Sequence, residues 1–164
     1  MEWAFAGPAT LRGRLGHLDA ARIATMDVED FVAVCCEKPA IHRFPASLGR
    51  RIHQLCSVLA SEYGGRGEAV WEGVTSGAEL LDRLRALPGY GDEKARIFVA
   101  ILGKSQGVTP DGWRDAAGKF GDDVPRSVAD ITGPETLAAV REWKKAQKAA
   151  KKDKQDRPLR PAAT

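Results

Sequence analysis

Residues 84–99 read LRALPGYGDEKARIFV, and this stretch decides the fold class. Upstream of its break, Leu80, Leu81, Leu84 and Leu87 recur at helical spacing; downstream, Ile97, Phe98, Ile101 and Leu102 do the same. Only Pro88-Gly89-Tyr90-Gly91 separates the two patterns, so two helices must pack at close range. Gly89 and Gly91 allow backbone conformations and approaches that a Cβ obstructs. Ala95 is small where the helices would cross. The second helix then turns its first N–H groups and the positive end of its dipole outward, a geometry suited to one backbone phosphate. The plain alternative is a Schellman-type turn between two core helices.

The neighbouring segments are helical too. Ser76 with Glu79 predicts a capping box at the start of the upstream helix. Before it, a short helix is expected around EAVWEGV (68–74). A longer one opens at Ser47, carries Leu48, Ile52, Leu55, Val58 and Leu59 as one stripe, and stops at Gly64-Gly65. Asp27 caps a helix through VEDFVAVCCEK (28–38), and Pro39 and Pro45 bracket a loop. Downstream, Pro110-Asp111 starts a short helix, DGWRDAAG (111–118). Pro134 sits in the first turn of the last helix, whose apolar face is Leu137, Val140 and Trp143. No alternating β pattern and no repeat is present. The expectation is an all-α domain over residues 1–146, followed by a basic, partly disordered tail over 147–164.

Composition sets the outer bounds. The chain has 164 residues and a formal charge of +3, which suits one domain. Residues 141–164 carry +6 and residues 1–140 carry −3. A basic end suits a polyanionic partner and equally a solvated helix end. Cys35, Cys36 and Cys56 are odd in number and lack Cys-x-x-Cys spacing, which argues against a disulfide framework and against an all-cysteine zinc or iron–sulfur site. Their apolar neighbours predict three small core residues. No signal-peptide pattern and no membrane-spanning run is found. Walker, Rossmann, Ser-His-Asp and metal-ligand spacings are absent, so no cofactor and no metal is expected.

Leu84, Leu87, Gly89, Gly91, Ala95, Ile97 and Val99 together resemble the helix-hairpin-helix motif, which holds DNA backbone without reading sequence. Through these residues the chain resembles the helix-hairpin-helix DNA glycosylases with a Gly/Pro-rich loop and a downstream aspartate, the HhH-GPD superfamily of endonuclease III. The likeness is greatest to a compact, actinobacterial-type base-excision repair branch. It covers about residues 1–145. FPASLGRRIHQLCSVLASEYGG (44–65) followed by ELLDRLRALPGYG (79–91) keeps the family's order of long helix, spacer and hairpin.

The resemblance implies a double-stranded DNA partner and a damaged or mispaired nucleotide flipped into a cleft. It implies that Leu87, Pro88, Gly89, Tyr90 and Gly91 hold a phosphate; Lys94 is expected to be phosphate-facing or merely solvated. An aspartate near a helix start then promotes cleavage of the N-glycosidic bond. Asp111 lies eighteen residues after Glu93 and takes that place; a plain N-cap fits its local sequence as well. Bifunctional members carry a lysine where this chain has Glu93, and Lys94 is turned about 100° away around the helix. The implied enzyme is therefore a monofunctional glycosylase without lyase activity. Tyr90 and Trp113 are candidate walls for the flipped base, ahead of Phe5; Trp3 and Trp71 are expected in the core. The family's first helix and glutamine-bearing wedge fall before Met1, so either Met1 is internal to a longer product or the branch is shortened. A monomer without an iron–sulfur cluster, cytoplasmic and on the nucleoid, is expected. Two alternatives remain: a non-catalytic helix-hairpin-helix DNA-binding module, and a helical protein-interaction domain.

Overall fold

The computed structural model describes residues 2–159, the first four by backbone alone. Among them are eight α-helices and three short 3-10 turns, with no strand, so the protein is all-α. Contacts gather into two compact units: residues 1–72 with 87–89, and residues 73–86 with 90–164. No helix among the described residues is long and apolar enough to cross a membrane.

The first unit holds α1 (Glu2–Leu15), α2 (Ala20–Ala24), α3 (Val28–Cys36) and α4 (Pro45–Glu62). Asp27 caps α3 as expected: its Oδ1 accepts the Glu29 and Asp30 N–H groups at 2.8 and 3.1 Å. α4 opens at Pro45 rather than Ser47, because proline needs no N–H partner in a first turn. The chain leaves α4 through Gly64 and Gly65, both at positive φ.

α1 has no clear signal in the sequence, whereas α2 is capped by Asp19, whose Oδ1 accepts the Arg22 N–H at 2.9 Å. Gly7, Pro8 and Gly13 interrupt any apolar period in α1. What ties α1 down is Leu11, buried in the core, and Arg14. The Arg14 guanidinium donates to the carbonyls of Val34 (2.7 Å), Glu37 (2.9 Å) and Pro39 (2.8 Å). It thereby satisfies carbonyl groups around the end of α3 that the helix itself leaves unpaired. The core collects Leu11, Ile23, Phe31, Cys35, Ile41 and Cys56. Gly49 brings α4 against α3, since a Cβ there would lie 3.2 Å from Cys35 Sγ. Burial pushes the Cys35 and Cys56 thiols up to about 11. Cys36 corrects the expectation of three core cysteines: it is exposed, because one residue beyond Cys35 turns it about 100° off the buried face.

The second unit holds α5 (Gly77–Ala86), α6 (Asp92–Ser105), α7 (Trp113–Ala117) and α8 (Pro134–Ala149). Ser76 Oγ accepts the Glu79 N–H at 3.2 Å, while Glu79 returns to the Thr75 N–H at 3.5 Å. α5 buries Leu80, Leu81 and Leu84, as the spacing predicts. α6 differs from its expected face. Its buried residues are Ala95, Val99, Ala100 and Leu102, and Ile97, Phe98 and Ile101 are only half-buried. Leu102 is buried as expected, but two alanines and Val99 share that face with it, because close-packed helices leave little room between them. α7 starts at Trp113 rather than at Pro110-Asp111, because Gly112 takes a left-handed conformation (φ 69°) and becomes the cap.

A polar cluster closes this unit. Lys104 Nζ meets Asp130 Oδ1 at 2.5 Å, and Asp130 Oδ2 accepts the Arg126 and Ser127 N–H groups. The buried Arg126 pairs with Asp122 and, at 2.8 Å, with Asp156, and its guanidinium lies 5.0 Å from the Trp143 ring centre. Gln147 Nε2 donates to Asp156 at 2.8 Å, and a bridge joins Lys152 to Pro158. Lys152, Asp156 and Pro158, within the stretch expected as a partly disordered tail, take part in these contacts.

Candidate functional site

α5 ends at Ala86, and α6 begins at Asp92. Between them Leu87 is buried and Gly89 has φ +82°, a conformation that favours glycine. Gly91 is different. It caps α6 with φ −81° and ψ 170°, ordinary extended backbone, and a Cβ built on it meets nothing within 4 Å. The fold therefore places no demand for glycine at 91. No side-chain hydrogen bond caps α6 at Gly91, and its first turn carries the positive end of the helix dipole.

Two acids stand at this positive helix end, and each is matched by a cation. Asp92 accepts from Arg85 Nε at 3.1 Å, and from the Arg85 NH2 group, and from Arg96 Nε at 2.9 Å. The Arg85 bond first, and the Arg96 bond second, hold its carboxyl below the usual carboxylate range. Arg96 also donates to the Ala116 carbonyl at 2.7 Å, which anchors it to α7. Glu93 accepts from Lys154 Nζ at 2.7 Å. The neutralised acids leave the helix dipole unopposed. Lys94 is exposed beside them. Arg85 and Arg96 are the residues that sequence reasoning missed. The Asp92–Arg96 pair has readable i, i+4 spacing; Lys154, 61 residues from Glu93, has none.

Tyr90 is half-buried with its ring edge-on to Phe98, centroids 5.7 Å apart at 88°. Burial raises its hydroxyl pKa. Asp111 lies at the other end of α5. Its N–H donates to the Thr75 carbonyl at 3.1 Å, and its carbonyl accepts the Gly77 N–H at 2.7 Å. The ten residues of α5 span about 15 Å between that point and the hairpin. The Asp111 side chain is exposed and makes no hydrogen bond or ion pair among the described residues.

Trp113 neighbours Asp111, but its ring occupies the space of a Cβ at Gly103, 2.4 Å from its nearest ring atoms. The Arg114 guanidinium lies 4.8 Å from the ring centre. Asp111 and Trp113 thus sit together at the start of α5, while Tyr90, Gly91 and Lys94 sit beyond its far end. Trp71 is half-buried; the side chains of Trp3 and Phe5 lie outside the described residues. No group of three His, Cys, Asp or Glu side chains suited to a metal ion occurs among the described residues. No family model, curated protein or solved structure matches the chain.

Proposed function

We propose that the chain binds the backbone of duplex DNA through residues 87–91 and acts in base-excision repair as a monofunctional DNA glycosylase of the helix-hairpin-helix type. The observation that carries this reading is Gly91. Its backbone is unstrained and its Cβ position is empty, so the glycine serves the close approach of something outside the protein. The start of α6, without a side-chain cap and with both nearby acids paired to cations, suits a phosphate there. Asp111 is the carboxylate that promotes cleavage of the glycosidic bond: it is exposed, and no group among the described residues pairs with its oxygens. Charge developing on the sugar is then the partner it stabilises.

A second reading, a DNA-binding module without chemistry, draws on Trp113. Its ring packs on Gly103 instead of standing free beside Asp111. Two variants separate the readings. Gly91→Val is expected to keep the helical circular-dichroism spectrum and lose duplex affinity; unchanged affinity refutes backbone binding at the hairpin. Asp111→Asn is expected to slow base release from damaged or mispaired duplexes by about 100-fold or more while duplex affinity stays. Equal release by both proteins, or none by the wild type, removes the enzymatic reading and leaves the binding module.

A further inference from the structure

A cavity of about 290 Å³ lies between α8, the segment after it and the first turn of α6. Lys144, Lys148, Lys152 and Lys154 line it, together with Trp143 and Glu93. Its charges do not balance. Glu93 is taken by Lys154, and the other carboxylate of the wall, Asp153, is taken by Arg157 at 2.7 Å and by the Gln155 and Arg157 amides. Lys144, Lys148 and Lys152 make no ion pair among the described residues. Lys144 and Lys148 stand four apart on one helix face, where like charges repel. Burial, and then the Lys154 charge, lower the Lys144 pKa. The C-terminal dipole of α8 accounts for Lys148 alone, since its field fades within one turn.

We propose that this cavity seats a polynucleotide phosphate, as a second backbone contact beside the hairpin. The inference deepens the DNA-binding reading and rests on it. Glu93 belongs both to the cavity wall and to the helix turn that follows Gly91. A strand carries one charge per ~3.4 Å of helix axis, so a backbone held at Gly91 brings neighbouring phosphates to the lysines. An anion there relieves the repulsion among the ammonium groups, and Lys154 remains on Glu93, which fixes the cavity wall to α6.

The test compares two double variants of the full chain that remove equal charge. Lys144→Gln with Lys148→Gln changes the cavity; Lys145→Gln with Lys151→Gln changes lysines outside it. Affinity for a fluorescent undamaged duplex is read by anisotropy over a potassium chloride series. The cavity pair is expected to lower the slope of log K against log salt by about 0.9 for each phosphate seated, and the control pair to change it by less than half as much. Equal slopes for the two pairs, or no change in either, overturn the proposal. A parallel titration with inorganic phosphate, followed by NMR of the lysine side chains, separates the sources. Saturation of Lys144 and Lys148 by free phosphate, with an unaltered duplex slope, makes the cavity a small-anion site and also overturns it. Gly91→Val, run alongside, reports on the hairpin independently. Loss of affinity in that variant, with no effect of the cavity pair, refutes the cavity and keeps the hairpin. A wild-type chain that binds no duplex removes both.

Discussion

Gly77 offers the sharpest test of how the Asp111 segment is held. It opens α5, and its N–H bonds the Asp111 carbonyl at 2.7 Å. A Cβ at this position falls 2.6 Å from Trp113 Cα and 2.7 Å from both Gly112 O and Trp113 N. All three are backbone atoms, so no side-chain rotation relieves the overlap. Residues 111–113 must retreat by roughly 0.8 Å to restore ordinary contact. That movement stretches both backbone bonds of Asp111, each contributing about 0.5–1.5 kcal/mol. Residual overpacking costs about 1–3 kcal/mol. Against this, alanine gains at most about 1 kcal/mol of helix propensity over glycine. Gly77→Ala is therefore expected to destabilise by about 2 kcal/mol, a fall of about 1 M in the urea midpoint for an m value near 2 kcal/mol/M. Gly13→Ala provides the opposite case. It lies inside α1 with open space around its Cβ, so the same chemical change is expected to stabilise by about 0.5–1 kcal/mol. Urea unfolding followed by far-UV circular dichroism measures both. A Gly77→Ala protein as stable as the wild type, or a common sign for the two variants, refutes the packing described for residues 111–113.

Three further outcomes follow from the contacts of single residues. The folded pKa of Asp92 lies below its unfolded value, so the stability it contributes is complete above the ordinary carboxyl range and disappears as pH falls through the lower folded value. A carbon-13 titration should place its Cγ midpoint below ~3.9, and Arg85→Gln should raise it; an ordinary wild-type midpoint contradicts the Arg85–Asp92–Arg96 cluster. With thiols near 11, Cys35 and Cys56 are about 0.1% thiolate at pH 8. A thiol reagent should therefore modify only the exposed Cys36 quickly, and rapid reaction of all three would contradict the core of the first unit. Arg14→Gln removes hydrogen bonds to three carbonyls and should lower stability by about 1–3 kcal/mol; an unchanged urea midpoint shows that α1 is held by other means.

The helices with strong local signals were legible from residue types alone. Asp27 marks the start of α3, the Ser76–Glu79 pair marks α5, and Pro134 marks α8, because caps and first-turn prolines satisfy or remove groups at the helix ends themselves. The leucines of α5 name its buried face for the same local reason. α1 lacked such a signal: its glycines and proline break the period, and its anchor is Arg14 reaching carbonyls twenty or more residues away. On the buried face of α6, Ala95 and Leu102 were legible in the sequence, whereas Val99 and Ala100 were not: periodicity tells where large apolar side chains recur, but close packing between helices decides which residues the contact covers.

The candidate hairpin divides in the same way. Sequence by itself determined that two helices meet across Leu-Pro-Gly-Tyr-Gly, since proline and glycine punctuate a chain wherever they occur. It also showed that acids and a lysine crowd the start of the second helix. Tertiary structure alone decided which of the two glycines the backbone requires: Gly89 by its left-handed conformation, while Gly91 stands in open space. It also paired Glu93 with Lys154, seated the Trp113 ring on Gly103, and set the Asp111 main chain at the far end of α5 from the hairpin. These depend on distances through space between residues remote in the chain, and spacing along a sequence carries no measure of such distances.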